Sequence, residues 1–363
     1  MARALPYGLI LAGGRGTRFW PRSRRKSAKQ VLRFFGERSL IQQTLDRLRP
    51  VIPPERIWVL TNEHLRAEIA RQLPEVPRAQ ILAEPAQRNT APAIGLAAQV
   101  LTSLDPEALM GVFPSDHVIG QPREFLRLLR PAFDAARDGK LAVLGIQPRW
   151  PETGYGYIEF ARVPHAAGKE LPFAVRRFHE KPERPLAVRY VRGGRHYWNA
   201  GMFFWRTQVL LEELRRYVPK TASLLAALPP FGSRRFAARL REVFPLCENK
   251  SIDYAVMEPA AKAGRVAMIP AGDIGWNDVG SWNAVYELHA RDDFGNAVRG
   301  DSLIQDSTGV YVDADSKLVA LVGVKDLIVV DTPDALLIAD RARAQQVGEL
   351  VKRLEKSGRE DLL

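Results

Sequence analysis

Between Tyr7 and Arg18 the chain reads Y-G-L-I-L-A-G-G-R-G-T-R, an apolar run of strand length that empties into three glycines interleaved with Arg15, Thr17 and Arg18. Without Cβ atoms at Gly13, Gly14 and Gly16, the backbone can bend tightly and approach a ligand closely. Successive N–H groups in such a turn form an anion-binding concavity, and the two arginines add permanent positive charge. The chemistry is phosphate binding. Neither better-known fingerprint applies: no Gly-Lys-Ser/Thr follows at the P-loop spacing, and the third glycine of G-x-G-x-x-G would fall at Phe19. Two carboxylates, Asp116 in P-S-D-H and Asp278 in W-N-D-V-G-S-W, stand on polar stretches far apart in sequence. Each suits a hard cation such as Mg²⁺, which often takes one or two carboxylates plus phosphates and waters. Each could equally cap a helix or hold a turn. No Ser-His-Asp or Cys-His arrangement stands out.

These residues need elements to place them. Strand signals alternate with amphipathic, helix-length segments through the first half, which predicts a mostly parallel sheet covered by helices. Helices are expected over 39–48, with Ser39 as N-cap, and over 62–73, 93–104 and 124–138. Strands are expected over 56–61, 81–83, 109–113 and 141–146. Three polar loops then fall beyond the carboxyl ends of strands, at 13–18, 84–92 and 114–117, which is where open α/β sheets bind ligands. The stretch 151–201 reads as an antiparallel lid rich in aromatics. It carries T-G-Y-G-Y-I at 153–158, F-H-E-K-P at 178–182 and W-N-A-G-M at 198–202. Helical segments follow over 207–217 and 236–244, a helix start near Ser251, and a strand over 266–269. From about Asn296, short β-prone runs separated by Asp, Gly and Ser turns suggest a compact β unit of rudimentary β-helix type, closed by a helix over 340–356. The expected partition is a catalytic domain over 1–290 and a small β/helix domain over 291–363.

Composition narrows the class. The 363 residues are 46% hydrophobic and 26% charged, as in ordinary soluble globular chains. No apolar run approaches the roughly 20 residues of a membrane span, and no leader pattern precedes the first strand. A single cysteine, Cys247, fits a reducing cytoplasm and excludes an internal disulfide framework. Six scattered histidines and the one cysteine offer no zinc-ligand spacing, so no structural zinc site is expected. The net charge of +12 is spread along the chain, apart from Arg22-Ser23-Arg24-Arg25-Lys26 beside the glycine loop. It therefore reads as attraction for a phosphorylated small molecule rather than for nucleic acid.

Taken together, the motifs resemble those of the sugar-1-phosphate nucleotidyltransferases, in order over roughly residues 5–350. L-A-G-G-R-G-T-R at 11–18 marks the superfamily. E-P-A-Q-R-N-T-A-P-A-I at 84–94 and P-S-D-H at 114–117 narrow it to the guanylyl branch. G-Y-G-Y-I, F-H-E-K-P, W-N-A-G-M, S-I-D-Y-A-V-M-E at 251–258 and W-N-D-V-G-S-W complete the set. The resemblance implies a Rossmann-like, GT-A-like mixed sheet with helices on both faces. It also implies transfer of GMP from GTP to mannose 1-phosphate, with GDP-mannose and pyrophosphate as products and Mg²⁺ as cofactor. Because the attacking sugar phosphate is already anionic, the site needs positioning and charge neutralisation rather than a general base.

Roles carry over residue by residue. Arg18, Lys29, Asp116, Lys181 and Asp278 are the implied catalytic set, with Asp116 and Asp278 as metal ligands and Lys29 at the α-phosphate. Leu11, Ala12, Gly13, Gly14, Arg15, Gly16, Thr17, Glu84, Arg88, Asn89, Thr90 and Ser115 are the implied nucleotide contacts. The 14–17 turn, Arg15 and Arg18 hold the departing pyrophosphate, Glu84 to Thr90 meet guanine, and Ser115 meets ribose. Gly154, Tyr155, Gly156, Glu180, Asn199 and Gly201 line the hexose pocket, while Lys181 contacts the sugar phosphate. Asp253 is either an indirect support or an ordinary helix residue, and His117 and His179 are structural. One departure concerns rigidity: the family carries proline before the loop lysine, and here that residue is Ala28. Relatives with isomerase activity continue into a metal-binding cupin, so transferase activity alone is expected, in a homodimer. The alternatives are the same chemistry on another sugar phosphate or nucleotide, and a catalytically silent nucleotide-sugar sensor. A Rossmann dehydrogenase lacks its third glycine and ribose-binding acid.

Overall fold

A computed structural model describes residues 5–161 and 172–363. The part of the expected lid at 162–171 lies outside the described residues. The strands in chain order are β1 (Tyr7–Leu11), β2 (Ile57–Asn62), β3 (Ile81–Glu84), β4 (Leu109–Pro114), β5 (Val118–Ile119), β6 (Leu141–Ile146), β7 (Tyr157–Phe160), β8 (Phe173–His179), β9 (His196–Arg206), β10 (Val266–Ala271) and β11 (Trp276–Asn277). Nine of them form one sheet in the order β3-β2-β1-β4-β9-β6-β10-β8-β7, with β9 also pairing β7. β1 lies parallel between β2 and β4, whereas β9 runs antiparallel to both β4 and β6.

Alternation along the strands sends consecutive residues to opposite faces. Leu9 packs with Trp58, Met110 and the helix Thr90–Leu104, while Ile10 packs with Val59, Phe113 and the helices Leu40–Leu48 and Pro122–Arg137. Helices thus cover both faces, as expected of strands that are apolar on both sides. Ser39 caps its helix through a reciprocal capping box with Gln42.

Two local expectations need correction. The helix after the 84–92 stretch starts at Thr90 rather than Ala93, with Asn89 as N-cap. Pro92 is tolerated there because first-turn N–H groups have no intrahelical acceptor. The W-N-A-G-M stretch lies inside the eleven-residue β9. A helix, Arg184–Gly193, interrupts the expected antiparallel region, anchored by buried Ala187 and Tyr190.

The C-terminal strands are β12 (Ala297–Arg299), β13 (Ser302–Gln305), β14 (Tyr311–Ala314), β15 (Val319–Val322), β16 (Leu327–Asp331) and β17 (Leu336–Asp340). Parallel ladders β12-β14-β16 and β13-β15 stack successive turns of a short β-helix, and β17 returns antiparallel to β16. The closing helix is Val347–Lys356, not 340–356: Asp340 ends β17 and caps a 3₁₀ stretch. A third core cluster joins this unit to the rest, packing Tyr311, Ile328, Val330, Val347 and Val351 against Phe19, Trp20, Phe34 and Trp282.

Candidate active site

Beyond the carboxyl ends of β1, β3 and β4 opens a cavity of about 680 Å³. One wall is Leu11, Gly13, Gly14, Glu84, Asn89, Thr90 and Ser115; the other is Gly154, Tyr155, Gly156, Glu180, Lys181, Asn199 and Gly201. Asp116 and Asp278 lie on its lining between these walls. Residues from all three expected loops and from the antiparallel region, distant in sequence, share one enclosure.

Lys29 lies beneath the lining, its side chain only 8% exposed. Its Nζ donates to Asp116 Oδ2 at 2.8 Å and to the Asp278 carbonyl at 2.6 Å. Burial would raise the Asp116 carboxyl, but the Lys29 ammonium and His117 outweigh it and hold the group below its ordinary value. The carboxylate is therefore ionised at neutral pH. Asp278 Oδ1 accepts from the Tyr155 hydroxyl at 2.7 Å, and burial together with that carboxylate raises the phenol, so it stays a donor. Asp278 is further placed by an Asx turn in which Val279 N–H donates to Asn277 Oδ1, with Val279 at φ +47°. His117 also lines the cavity. Its Nδ1 accepts from Trp276 Nε1 at 3.2 Å, and burial pushes it down to about 4.

On the far wall, Asn199 donates to Asp253 Oδ1 at 2.7 Å while its own Oδ1 accepts from Gly201 N–H at 2.9 Å. Asp253 holds the Asn199 amide and itself lines the cavity. Burial, with Asp253 nearby, raises the Glu180 carboxyl against the pull of Lys181. A Cβ at Gly156 would meet Glu180 Oε2 at 2.5 Å, so the glycine leaves that carboxylate its present position. On the near wall, burial pushes Glu84 up to about 8.

Several expected residues are not on the cavity lining. Arg15 turns away to pair with Glu355 at 2.6 Å, bordering a second cavity of about 320 Å³ with Arg25 and Asn62. Arg18 donates to the Gly280 carbonyl. Ala12 is buried, with its carbonyl accepting from Gln30 and Thr61. Gly16, Thr17 and Arg88 are likewise absent from the lining. Asn89 spends its side-chain oxygen on the Thr90 N–H, and the Thr90 hydroxyl accepts from Ile252 N–H. Sequence reasoning missed Gln30, whose buried amide clamps the glycine turn through the carbonyls of Ala12 and Gly14. Its only signal was adjacency to Lys29.

A sheet of this topology with a glycine-rich turn, an ionised aspartate and a buried lysine at its carboxyl edge defines a nucleotide-phosphate enzyme. The chain belongs to the Nucleotidyl transferase family, which it matches over residues 7–293, and residues 300–354 match the MannoseP isomerase/GMP-like β-helix domain. It is 40% identical over 357 residues to a mannose-1-phosphate guanylyltransferase of Klebsiella pneumoniae, covering 97% of this chain and 74% of that protein. It is 41% identical to the mannose-1-phosphate guanylyltransferase of Escherichia coli K12, covering 99% of this chain and 76% of that one. A crystal structure from Thermus thermophilus, described as a mannose-1-phosphate geranyltransferase, superposes with a TM-score of 0.84 at 34% identity. That match spans 97% of this chain and all of the other. Among the described residues, no helix is long and apolar enough to cross a membrane.

Proposed function

We propose that this chain transfers GMP from GTP to mannose 1-phosphate, releasing pyrophosphate and forming GDP-mannose. The observation that carries the reading is the Lys29–Asp116–Asp278 cluster set between two different walls of one cavity. The identity to two mannose-1-phosphate guanylyltransferases supports the substrate pair. Leu11, Gly13, Gly14, Glu84, Asn89, Thr90 and Ser115 take the nucleotide. Gly154, Tyr155, Gly156, Glu180, Asn199 and Gly201 take the hexose, and Lys181 takes its phosphate.

A sugar phosphate attacking the α-phosphorus in line is already anionic and needs no base. Its task is to hold two polyanions together and neutralise charge at the α-phosphate, which falls to Lys29. The donor set fits Mg²⁺: two carboxylates, one held ionised, and no soft ligand. When bound, the ion would neutralise phosphate charge and orient the leaving pyrophosphate. Arg15 and Arg18 would serve the pyrophosphate only by leaving Glu355 and Gly280, in exchange for stronger charge-assisted bonds.

The test is pyrophosphate release across a panel of nucleoside triphosphates and sugar 1-phosphates. GTP with mannose 1-phosphate should be the fastest pair, and a faster non-mannose pair would refute the assignment. Binding of GDP-mannose without pyrophosphate release under any pair would indicate a sensor instead. Asp116→Asn and Asp278→Asn should each lower kcat by at least about a hundredfold, the scale of losing a main electrostatic contributor, with thermal unfolding nearly unchanged for Asp278→Asn and lowered for Asp116→Asn, which strands the buried Lys29 ammonium. Retained turnover in both would remove the carboxylates from the chemistry.

We also infer a homodimer formed through the C-terminal unit. Leu303, Leu318, Val322, Leu336 and Ile338, on or next to its two sheets, are all more than half exposed there, apolar side chains that association would remove from water. Light scattering at micromolar concentration should give twice the chain mass, and Leu303→Lys with Val322→Lys should return the monomer mass. The lone cysteine is buried and in no disulfide, in keeping with a cytoplasmic setting.

A further inference from the structure

Away from the transfer cavity, three potential metal ligands meet on one face of the antiparallel end of the sheet. In the ladder β7 lies between β8 and β9: Tyr157 faces His179, and Glu159 faces His196. Since Tyr157 and Glu159 are two apart on β7, Glu159, His179 and His196 all project to the same side. The helix Arg184–Gly193 covers that side, with Tyr190 stacked on His196 at 3.9 Å and 5.0 Å from the His179 ring.

The donor atoms of the three side chains all lie within 4.8 Å of one another. Glu159 Oε2 and His179 Nε2 are already 3.6 Å apart, against about 3.4 Å between ligands at 2.0–2.1 Å around a tetrahedral zinc. Both ring nitrogens of His196, and Nε2 of His179, are buried without a hydrogen-bond partner among the described residues. Buried polar atoms ordinarily have partners, and an unmet group calls for an explanation such as an ion. The only ion-pair partner of Glu159 among the described residues is His179; Arg177, opposite it in the ladder, is exposed and makes no such pair.

We propose that Glu159, His179 and His196 form a binding site for a borderline transition cation, Zn²⁺ or a congener, separate from the Asp116–Asp278 pair. Two imidazoles and one carboxylate select such ions over Mg²⁺, which prefers an all-oxygen shell. The ligands come from three neighbouring strands, and His179 directly precedes Glu180 and Lys181 on the cavity wall. An ion here would tie β7, β8 and β9 together where the sugar-side turn leaves β8.

Co²⁺ titration of the chelator-treated full chain in magnesium-free buffer tests this. One equivalent should bind with the intense visible absorption of a four-coordinate site, and Zn²⁺ should displace it. His196→Asn and Glu159→Gln should each weaken binding more than about tenfold, at least the loss seen for removal of a mere supporting partner of a ligand. Asp116→Asn and Asp278→Asn should leave the spectrum in place. Should His196→Asn unfold at the working temperature, Glu159→Gln carries the comparison, since it keeps the side-chain volume. Absence of the four-coordinate spectrum overturns the proposal. So does a spectrum insensitive to both ligand substitutions, or one lost only with Asp116→Asn.

Discussion

At the scale of single residues, the site depends on environment more than on residue type. Glu84 and Asp116 are both carboxyl groups on the same cavity, yet burial pushes one up to about 8 and Lys29 with His117 holds the other down. The Glu84 shift has a directional consequence. Guanine presents N–H donors that favour the ionised carboxylate, so nucleotide binding releases the proton that Glu84 holds in the empty cavity. Apparent GTP affinity should therefore rise with pH, by at most about tenfold per unit, and level off above about pH 8. Folding stability moves the opposite way: a raised carboxyl in the folded state makes this group's contribution shrink as pH climbs from its ordinary value towards 8. Glu84→Gln should bind GTP more weakly and lose the pH slope between about 6 and 8, as read by calorimetric titration. A slope that survives the substitution would place the titrating group elsewhere.

At the scale of elements, Gly16 shows how the glycine turn serves the chemistry. It sits at φ +63°, and a Cβ there would meet Lys29 Cβ at 2.5 Å and the Lys29 backbone nitrogen at 2.9 Å. The turn and the short helix that carries the lysine are packed with no room for a methyl group. Gly16→Ala should cost about 1–3 kcal/mol from the left-handed strain and overpacking. It should also lower kcat about tenfold or more by displacing Lys29 from Asp116. A normal kcat with reduced stability would show that Lys29 keeps its place by other means. Ala28, where the resemblance expects proline, has φ −74° and ψ 165°, a conformation proline shares, so the loop keeps its geometry without the ring. Much of this was legible in sequence, because strand periodicity and contiguous motifs are local signals. The helix Arg184–Gly193 was not. It buries chiefly Ala187 and Tyr190 among arginines and valines, too thin an apolar stripe to register as helical. Nor could local pattern show that Arg15 pairs with Glu355, 340 positions away. The His179–His196–Glu159 cluster was hidden for the same reason, since strand register alone brings its members together.

At the scale of the whole molecule, the C-terminal unit is a clamp on the loop that opens the chain. Trp20 Nε1 donates to the Leu362 carbonyl at 3.0 Å, Arg15 reaches Glu355, and Arg22 pairs with Asp313 at 2.7 Å and also with Asp315. Asp313 is the pivot: 1% exposed, it accepts from both Arg22 and Arg299. A buried carboxylate between two guanidiniums contributes little net stability over an apolar packing, yet removing it strands the charges that faced it. Asp313→Ala should destabilise by about 2–4 kcal/mol, less than for a fully sequestered pair, because Asp315 still faces Arg22 and Arg299 is 42% exposed. The shared core predicts that urea unfolds the protein in one transition, with the variant's midpoint lowered and its slope unchanged. Because Arg22 follows Arg18 closely along the same loop, the loosened clamp should raise KM for GTP more than it lowers kcat. The outcome to watch is the shape of the curve. A first transition confined to the C-terminal unit, with the catalytic part unfolding later at its original midpoint, would show that the clamp merely adheres to the loop. A single shifted transition, with KM raised, would show that the loop owes its working geometry to a residue 291 positions further along the chain.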